Sequence, residues 1–407
     1  MVTNLRSLLI PRLRTVLLQK GCYFSSTTGT SDVIDQKLEH YTKVKPTPIS
    51  IAEFIERGQT KKISEAESYS HLVHECLVRL SHMITEVKQF PRELKEQQDY
   101  KTVLAMYLDT YKNLIEFETK EPSVENIGLA VKFLNERKAR HKDTVPLMAS
   151  ACMAMKQKYD LNLNEEDCAL TKSVQYCLDR LYISRVSLNM LTNQHLMLHG
   201  YKNPVPDQVG VIHPRTDVAA IVKHAFSDAQ FLCERCYLNS PSLELKSHNL
   251  SEPNKPVSVN HVPSHIYYMT FEVKRTLSTQ IFPKHVHQLT IIFQLIKNAM
   301  QATVNHNSLE DLPSIQVLVC QSKEDITIKI SDLGGGVDRV TCDRMWKYLY
   351  TTTPRVSLTS EAAALSGLGY GLPLSRLYAR YAVENCRVSL IIFWCQVFPR
   401  RCEDCLV

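Results

Sequence analysis

The chain has 407 residues, is 44% apolar and 8% aromatic, and carries a formal net charge of +6. That length sustains two domains with sizeable cores. The charge excess is too small and dispersed for a nucleic-acid surface, no Lys/Arg run carries interleaved aromatics, and no apolar run reaches transmembrane length, so those classes are set aside.

Taken from the N-terminus, residues 1–31 contain no Asp or Glu. Arg6, Arg12, Arg14 and Lys20 stand among Leu, Ile and Val, followed by Ser25, Ser26, Thr27 and Thr28. This basic, amphipathic, hydroxyl-rich composition predicts a mitochondrial transit peptide, with a merely disordered N-terminus as the plainer alternative. A secretory signal fits worse, because Pro11, Arg12 and Arg14 interrupt the apolar segment. The 13 cysteines follow no disulfide framework and read as reduced thiols. Cys233 and Cys236 share a helical face and read as core packing. Zinc would need a second pair of ligands, and the only similar pair is Cys402 with Cys405.

Residues 33–200 read as almost wholly helical. Leu72, Cys76, Leu80, Met83 and Val87 recur at three-to-four spacing, as do Val103, Tyr107, Leu114 and Phe117. Pro91 and Pro122 mark breaks. Two further runs, around Val145–Tyr159 and Ala169–Leu198, complete a set of four long amphipathic helices, which predicts a bundle. His141 follows Arg137, Lys138 and Arg140 and reads as part of a solvated basic face. It is a poor phosphoryl-accepting histidine, because Lys142 stands where that motif wants an acid. Asn193-Gln194-His195 reads as a structural polar group at a helix end.

Asn203–Pro206 reads as a linker. Beyond it the periods mix. Strands are expected at Val209–Ile212, Leu243–Leu245 and Val257–Asn260, with helices at Val218–Tyr237 and from Pro263 to Phe271. Thr327-Ile328-Lys329-Ile330-Ser331 alternates like a strand and ends in Asp332, followed by Leu333-Gly334-Gly335-Gly336. A carboxylate at a strand end can accept a hydrogen bond from an exocyclic amine such as adenine's, and the glycines let a nucleotide lie against the backbone. Further on, Gly367-Leu368-Gly369-Tyr370-Gly371-Leu372-Pro373 leads into a helix over Leu372–Tyr381. Unpaired N–H groups at that helix start, behind a glycine loop, suit phosphate oxygens. No Gly-Lys-Ser/Thr follows, so it is not a Walker loop. No strand leads directly into the glycines, so it is not a dinucleotide fingerprint either.

These motifs resemble the GHKL ATP-binding superfamily, and within it the mitochondrial protein kinases of the pyruvate dehydrogenase kinase family. The likeness is carried by Gly367–Tyr381, Tyr348–Arg355, Asn239-Ser240-Pro241 and Val262-Pro263-Ser264-His265. It spans roughly residues 33–272 and 295–381. The fold it implies is α+β: an N-terminal four-helix bundle followed by a GHKL-type α/β sandwich. The bundle (32–202) would dock the lipoyl domain of the E2 core, and residues 203–381 would form the kinase domain. Implied with these are a homodimer, a mitochondrial matrix location, the E1 alpha subunit of pyruvate dehydrogenase as substrate, and ATP and Mg as cofactors. Asn298 would hold Mg. Lys297, Asp332, Gly334, Gly336, Thr351, Thr352, Gly367, Leu368, Gly369, Tyr370, Gly371 and Leu372 would surround the nucleotide.

The family also places a Glu one helical turn before the metal-binding Asn, where it can take the proton of the substrate serine. Here Gln294 stands four residues before Asn298. Removing Val273–Gln294 would join Glu272 to Leu295 and restore the pattern, making Glu272 the catalytic base. The inserted run has no acid, no clean helical period and an internal Pro283, compatible with an unspliced segment or an unusual isoform. If it is present, the expectation is a displaced base, a disrupted helix and a weak or dead kinase. Residues 382–407 lose the family likeness, leaving the closing strands in doubt and making Ser389–Val397 an aggregation hazard without sheet partners. Leu333 replaces a usual Arg and Tyr268 a frequent His. A branched-chain ketoacid dehydrogenase kinase and a pseudokinase scaffold are the competing readings.

Overall fold

A computed structural model describes residues 28–48, 50–59, 64–159, 169–199, 208–253, 255–261, 291–322, 325–350, 369–386 and 389–396. The expected linker at Asn203–Pro206, the helix from Pro263 to Phe271 and the pair Cys402/Cys405 lie outside these residues. The architecture is α-rich with a small mixed sheet, in keeping with α+β. No helix among the described residues is long and apolar enough to cross a membrane.

The N-terminal half is helical: α1 (Thr28–Lys43), α2 (Ile51–Gln59), α3 (Glu65–Lys88), the short α4 (Arg92–Lys95), α5 (Gln98–Glu118), α6 (Val124–Arg140), α7 (Thr144–Lys158) and α8 (Ala169–His199). Ser64 starts α3 through a capping box, its side chain accepting from Glu67 N while the Glu67 carboxylate accepts from Ser64 N. Helix α3 packs against α1, α5 and α8, and α5 packs against α7. Leu72, Cys76, Leu80, Met83 and Val87 are all buried along the stripe expected of them.

Two features depart from expectation here. Helices α1, α2, the short α4 and α6 add elements beyond the four anticipated. His141 is buried rather than solvated, because a 3-10 turn at His141–Asp143 rotates it inward onto Thr110 Oγ1, 2.7 Å from its Nε2. The end of α8 behaves as read: Gln194 Nε2 donates to Val209 O at 3.1 Å and its Oε1 accepts from Val211 N at 2.8 Å, pinning the turn at Gly210.

That turn carries a bridge between Val209 and Ile212. The first strand falls just after it, as β1 (His213–Asp217), and Asp217 caps α9 (Val218–Tyr237). After β2 (Leu243–Asn249) and β3 (Ser258–His261), β3 pairs antiparallel with β1. Then follow α10 (Ile291–His306), β4 (Ile315–Gln321), β5 (Asp325–Asp332), α11 (Arg339–Arg344), α12 (Gly371–Cys386) and β6 (Ser389–Gln396). The main sheet runs β2-β4-β5-β6, with β4–β5 antiparallel and the outer pairs parallel. Strands β4 and β5 alternate: Ile315, Val317, Val319, Ile326, Ile328 and Ile330 are buried, packed with the apolar faces of α9 and α10.

The tail corrects the expectation made for it. Ser389–Gln396 does not lack a partner, because β6 pairs in parallel along the whole of β5, from Asp325↔Ser389 to Asp332↔Gln396. A parallel neighbour requires a crossover connection, and α12 lies between the two strands in the chain.

Candidate functional site

The site is organised along one face of α10. Residues four apart on a helix drift by about 40° and rise by about 6 Å per step, so Gln294, Asn298 and Ala302 form a stripe. Its two ends meet the two glycine loops. A Cβ on Gly371, the first residue of α12, would lie 3.0 Å from Gln294 Oε1. A Cβ on Gly334 would lie 2.5 Å from Ala302 Cβ and 2.7 Å from its carbonyl carbon. Asn298, half-buried, stands on the stripe between these contacts.

Each loop is built for close approach. At the end of β5, Asp332 is 1% exposed and its Oδ1 accepts from Gly334 N at 2.9 Å. Gly335 and Gly336 adopt φ +83° and +78°, values that favour glycine. The C-terminus of α10 is tied to the same loop, with Asn307 Nδ2 donating to Thr303 O at 2.8 Å and to Leu333 O at 3.0 Å. In the second loop, Gly369 adopts φ +74° and a Cβ there would lie 2.4 Å from Tyr350 O. Helix α12 begins directly behind it, with no acid in its first turn. The first amides of such a helix lack intrahelical partners and present partial positive charge.

Lys297, beside Asn298, is 5% exposed, and burial pushes its amine down to about 8. An anion alongside would stabilise its charged form. Tyr370 is fully buried, and its ring packs on Tyr182 and Tyr348, so only its backbone borders the loop. Leu372 is partly buried against the sheet core. Glu272, Thr351, Thr352, Gly367 and Leu368 lie outside the described residues.

The insertion is recast in part. Its last residues, Ile291–Gln294, are the first turn of α10, with Ile292 and Phe293 buried. From Ile291 to His306 the helix carrying Asn298 is unbroken, and an amide occupies the position one turn upstream of Asn298; the rest of the insertion, with Pro283, lies outside the described residues.

Sequence reasoning missed Gln175 and Asp179 of α8. Gln175 Nε2 donates to Tyr348 O at 3.2 Å, its Oε1 accepts from Tyr348 N at 2.8 Å, and the Tyr348 hydroxyl donates to Asp179 Oδ1 at 2.7 Å. The signal available was the i, i+4, i+7 spacing of Gln175, Asp179 and Tyr182; nothing in it points to a residue 173 positions away.

A family model described as "Mitochondrial branched-chain alpha-ketoacid dehydrogenase kinase" matches residues 48–213. Among curated proteins, the chain is 38% identical over 348 residues to a Caenorhabditis elegans "Probable [pyruvate dehydrogenase (acetyl-transferring)] kinase, mitochondrial", covering 85% of this chain and 80% of that one. It is 39% identical over 356 residues to "[Pyruvate dehydrogenase (acetyl-transferring)] kinase isozyme 3, mitochondrial" of Mus musculus, with 86% and 79% covered. Against isozyme 3 of Homo sapiens it is 38% identical over 354 residues, with 86% and 80% covered.

Proposed function

Because the chain belongs to the pyruvate dehydrogenase kinase family, we propose that it is a mitochondrial protein-serine kinase acting on the E1 alpha subunit of the pyruvate dehydrogenase complex. The single observation that supports the reading is the α10 stripe, which meets one glycine loop at Gln294, the other at Ala302, and carries Asn298 between them. In this reading residues 32–202 are the four-helix bundle that docks an E2 lipoyl domain, and residues 203–381 are a GHKL-type ATP-binding sandwich. The protein works as a homodimer in the mitochondrial matrix.

The residues present fit Mg-ATP. Asp332 faces the adenine amine, while Gly334 and Gly336 keep the adjoining backbone free of side chains. The Gly369–Leu372 segment and the start of α12 offer N–H groups to phosphate oxygens. The Asn298 side-chain oxygen would hold Mg, and phosphate oxygens would favour the charged form of Lys297 beside them. The bound metal would neutralise charge developing on the transferred phosphoryl group. With Val273–Gln294 spliced out or looped away, Glu272 is the proposed proton acceptor for the serine hydroxyl. Thr351, Thr352, Gly367 and Leu368 complete the nucleotide contacts.

One observation favours a second reading, a catalytically impaired scaffold. Gln294 holds the turn before Asn298, and a carboxamide can orient an alcohol but cannot accept its proton. The test is Mg-dependent incorporation of labelled phosphate from ATP into E1 alpha by the chain and by Gln294→Glu. Transfer by the parent chain supports the kinase. Transfer seen only in Gln294→Glu, with ATP bound equally by both, supports the impaired form. Failure of both proteins to bind ATP defeats the nucleotide reading altogether. Running branched-chain ketoacid dehydrogenase E1 alongside addresses the substrate named by the matching family model.

A further inference from the structure

The two chain segments flanking residues 351–368 are both seated on helix α8. On one side, Gln175 brackets the backbone of Tyr348 through both its N–H and its carbonyl, and Asp179 holds its hydroxyl. Burial, and then the Asp179 carboxylate, push the Tyr348 phenol well above its usual range, so the hydroxyl stays protonated and remains a donor. On the other side, Tyr370 packs its ring on Tyr182 at 6.2 Å and on Tyr348 at 5.0 Å, with Tyr182 and Tyr348 at 5.7 Å. Gln175, Asp179 and Tyr182 are spaced i, i+4, i+7 and form one face of α8.

From that seat the glycine loop is reached in one step. Leu349 takes the left-handed region at φ 67°, unusual for a branched residue, and its N–H donates to Gly369 O at 3.2 Å. Gly369 in turn lies so close to Tyr350 that a Cβ would meet its carbonyl oxygen at 2.4 Å. Holding Leu349 in that conformation requires its neighbour to be fixed, and the Gln175 bracket fixes it.

We propose that Gln175 and Asp179 are positioning residues for nucleotide binding, acting from the helical layer through Tyr348 and Leu349 to set the Gly369–Leu372 loop. The inference rests on the nucleotide reading of that loop. Neither residue reaches the loop itself.

The experiment measures ATP affinity by calorimetry and amide hydrogen exchange at Leu349 and Gly369–Leu374, on the full chain and on Gln175→Leu, Asp179→Leu and Asp179→Asn. Tyr100→Phe is the control, removing a buried hydroxyl bond to Val87 O (2.8 Å) between α5 and α3, a bond that involves neither Tyr348 nor the glycine loop. Losing the two Gln175 bonds should weaken ATP binding by about tenfold or more. Exchange at the loop amides should rise with it. Asp179→Leu should weaken binding, and Asp179→Asn, which keeps an acceptor, should restore it. Tyr100→Phe should lower the melting temperature without changing either readout. Loop exchange unchanged in Gln175→Leu, or an affinity loss no larger than that of Tyr100→Phe, overturns the proposal. A parent chain that binds no ATP overturns the reading beneath it, which the exchange data identify separately.

Discussion

Leu238 closes α9 in the left-handed region at φ 63°, its N–H donating to Glu234 O at 2.8 Å. The side chain is 92% exposed and contributes no packing to offset the strain. A helix C-cap of this form is where glycine is favoured, since it has no Cβ to crowd the carbonyl. Leu238→Gly should stabilise the folded chain by about 1 kcal/mol, read as a higher urea midpoint at unchanged slope. Gly334 is the opposite case, a glycine required by its neighbour rather than by its own φ. Gly334→Ala would drive a methyl into Ala302 Cβ and into the α10 backbone at 2.7 Å. The expected cost is about 1–3 kcal/mol by denaturant titration, with α10 and the end of β5 forced apart. Pairing it with Ala302→Gly should recover only part of that loss, because the Ala302 carbonyl carbon still stands in the way.

At the scale of elements, α9 was legible to its bounds because a period-3.6 apolar face follows directly on Asp217, a capping residue whose Oδ1 accepts from Ala220 N at 3.0 Å. Strand β5 was legible through its alternation and its glycine stop. Strand β6 was not: an apolar, cysteine-bearing run without alternation does not announce which strand it will join, and its partner β5 lies beyond an intervening helix. The basic run before His141 misled in another way. Charge density predicts solvent exposure, but the 3-10 turn after α6 gives His141 a buried hydroxyl partner that no local pattern encodes. In the site, Asp332 and the glycines stand out because a strand end and a glycine loop are tied to backbone geometry, whereas Asn298 is marked only by the family resemblance. The place of Tyr370 in the core and the Gln175 bracket depend on contacts between α8 and residues far along the chain. For α10 the sequence shows Gln294 at the key register, and the element-scale consequence is that Gln294→Glu alone should supply an acid one turn before Asn298 without moving the helix. Phosphate transfer to E1 alpha should then rise while ATP affinity stays within about twofold, a change too small to register as more than half a kcal/mol.

The whole molecule carries a pH liability built from two buried histidines. Burial, reinforced by Arg137, Arg185 and Arg140, pushes His141 down to about 2. Burial, with His199 beside it, pushes His195 down to about 4. Arg137 is 3% exposed, with Nη2 donating to Thr192 Oγ1 at 2.9 Å and Nε without a hydrogen-bond partner among the described residues, so the core already holds a charge that resists another. In the unfolded chain both histidines titrate near 6.5. Above that pH they are neutral in both states and the pair leaves stability unchanged. Below it the unfolded chain takes up two protons that the folded chain refuses, so stability falls as pH drops, by about 3 kcal/mol per unit once both are engaged. The slope halves below about pH 4, where folded His195 also becomes protonated. Against a total stability of about 5–15 kcal/mol, two pH units below 6 can exhaust the reserve of an ordinary domain. Denaturant titrations from pH 7.5 to 4.5 should show midpoints that hold near neutrality and drop steeply below pH 6. His141→Gln, which keeps a polar partner for Thr110 but cannot titrate, should remove about half of that slope. A flat profile between pH 6 and 4.5 in the parent chain would show that one or both rings take up a proton without unfolding.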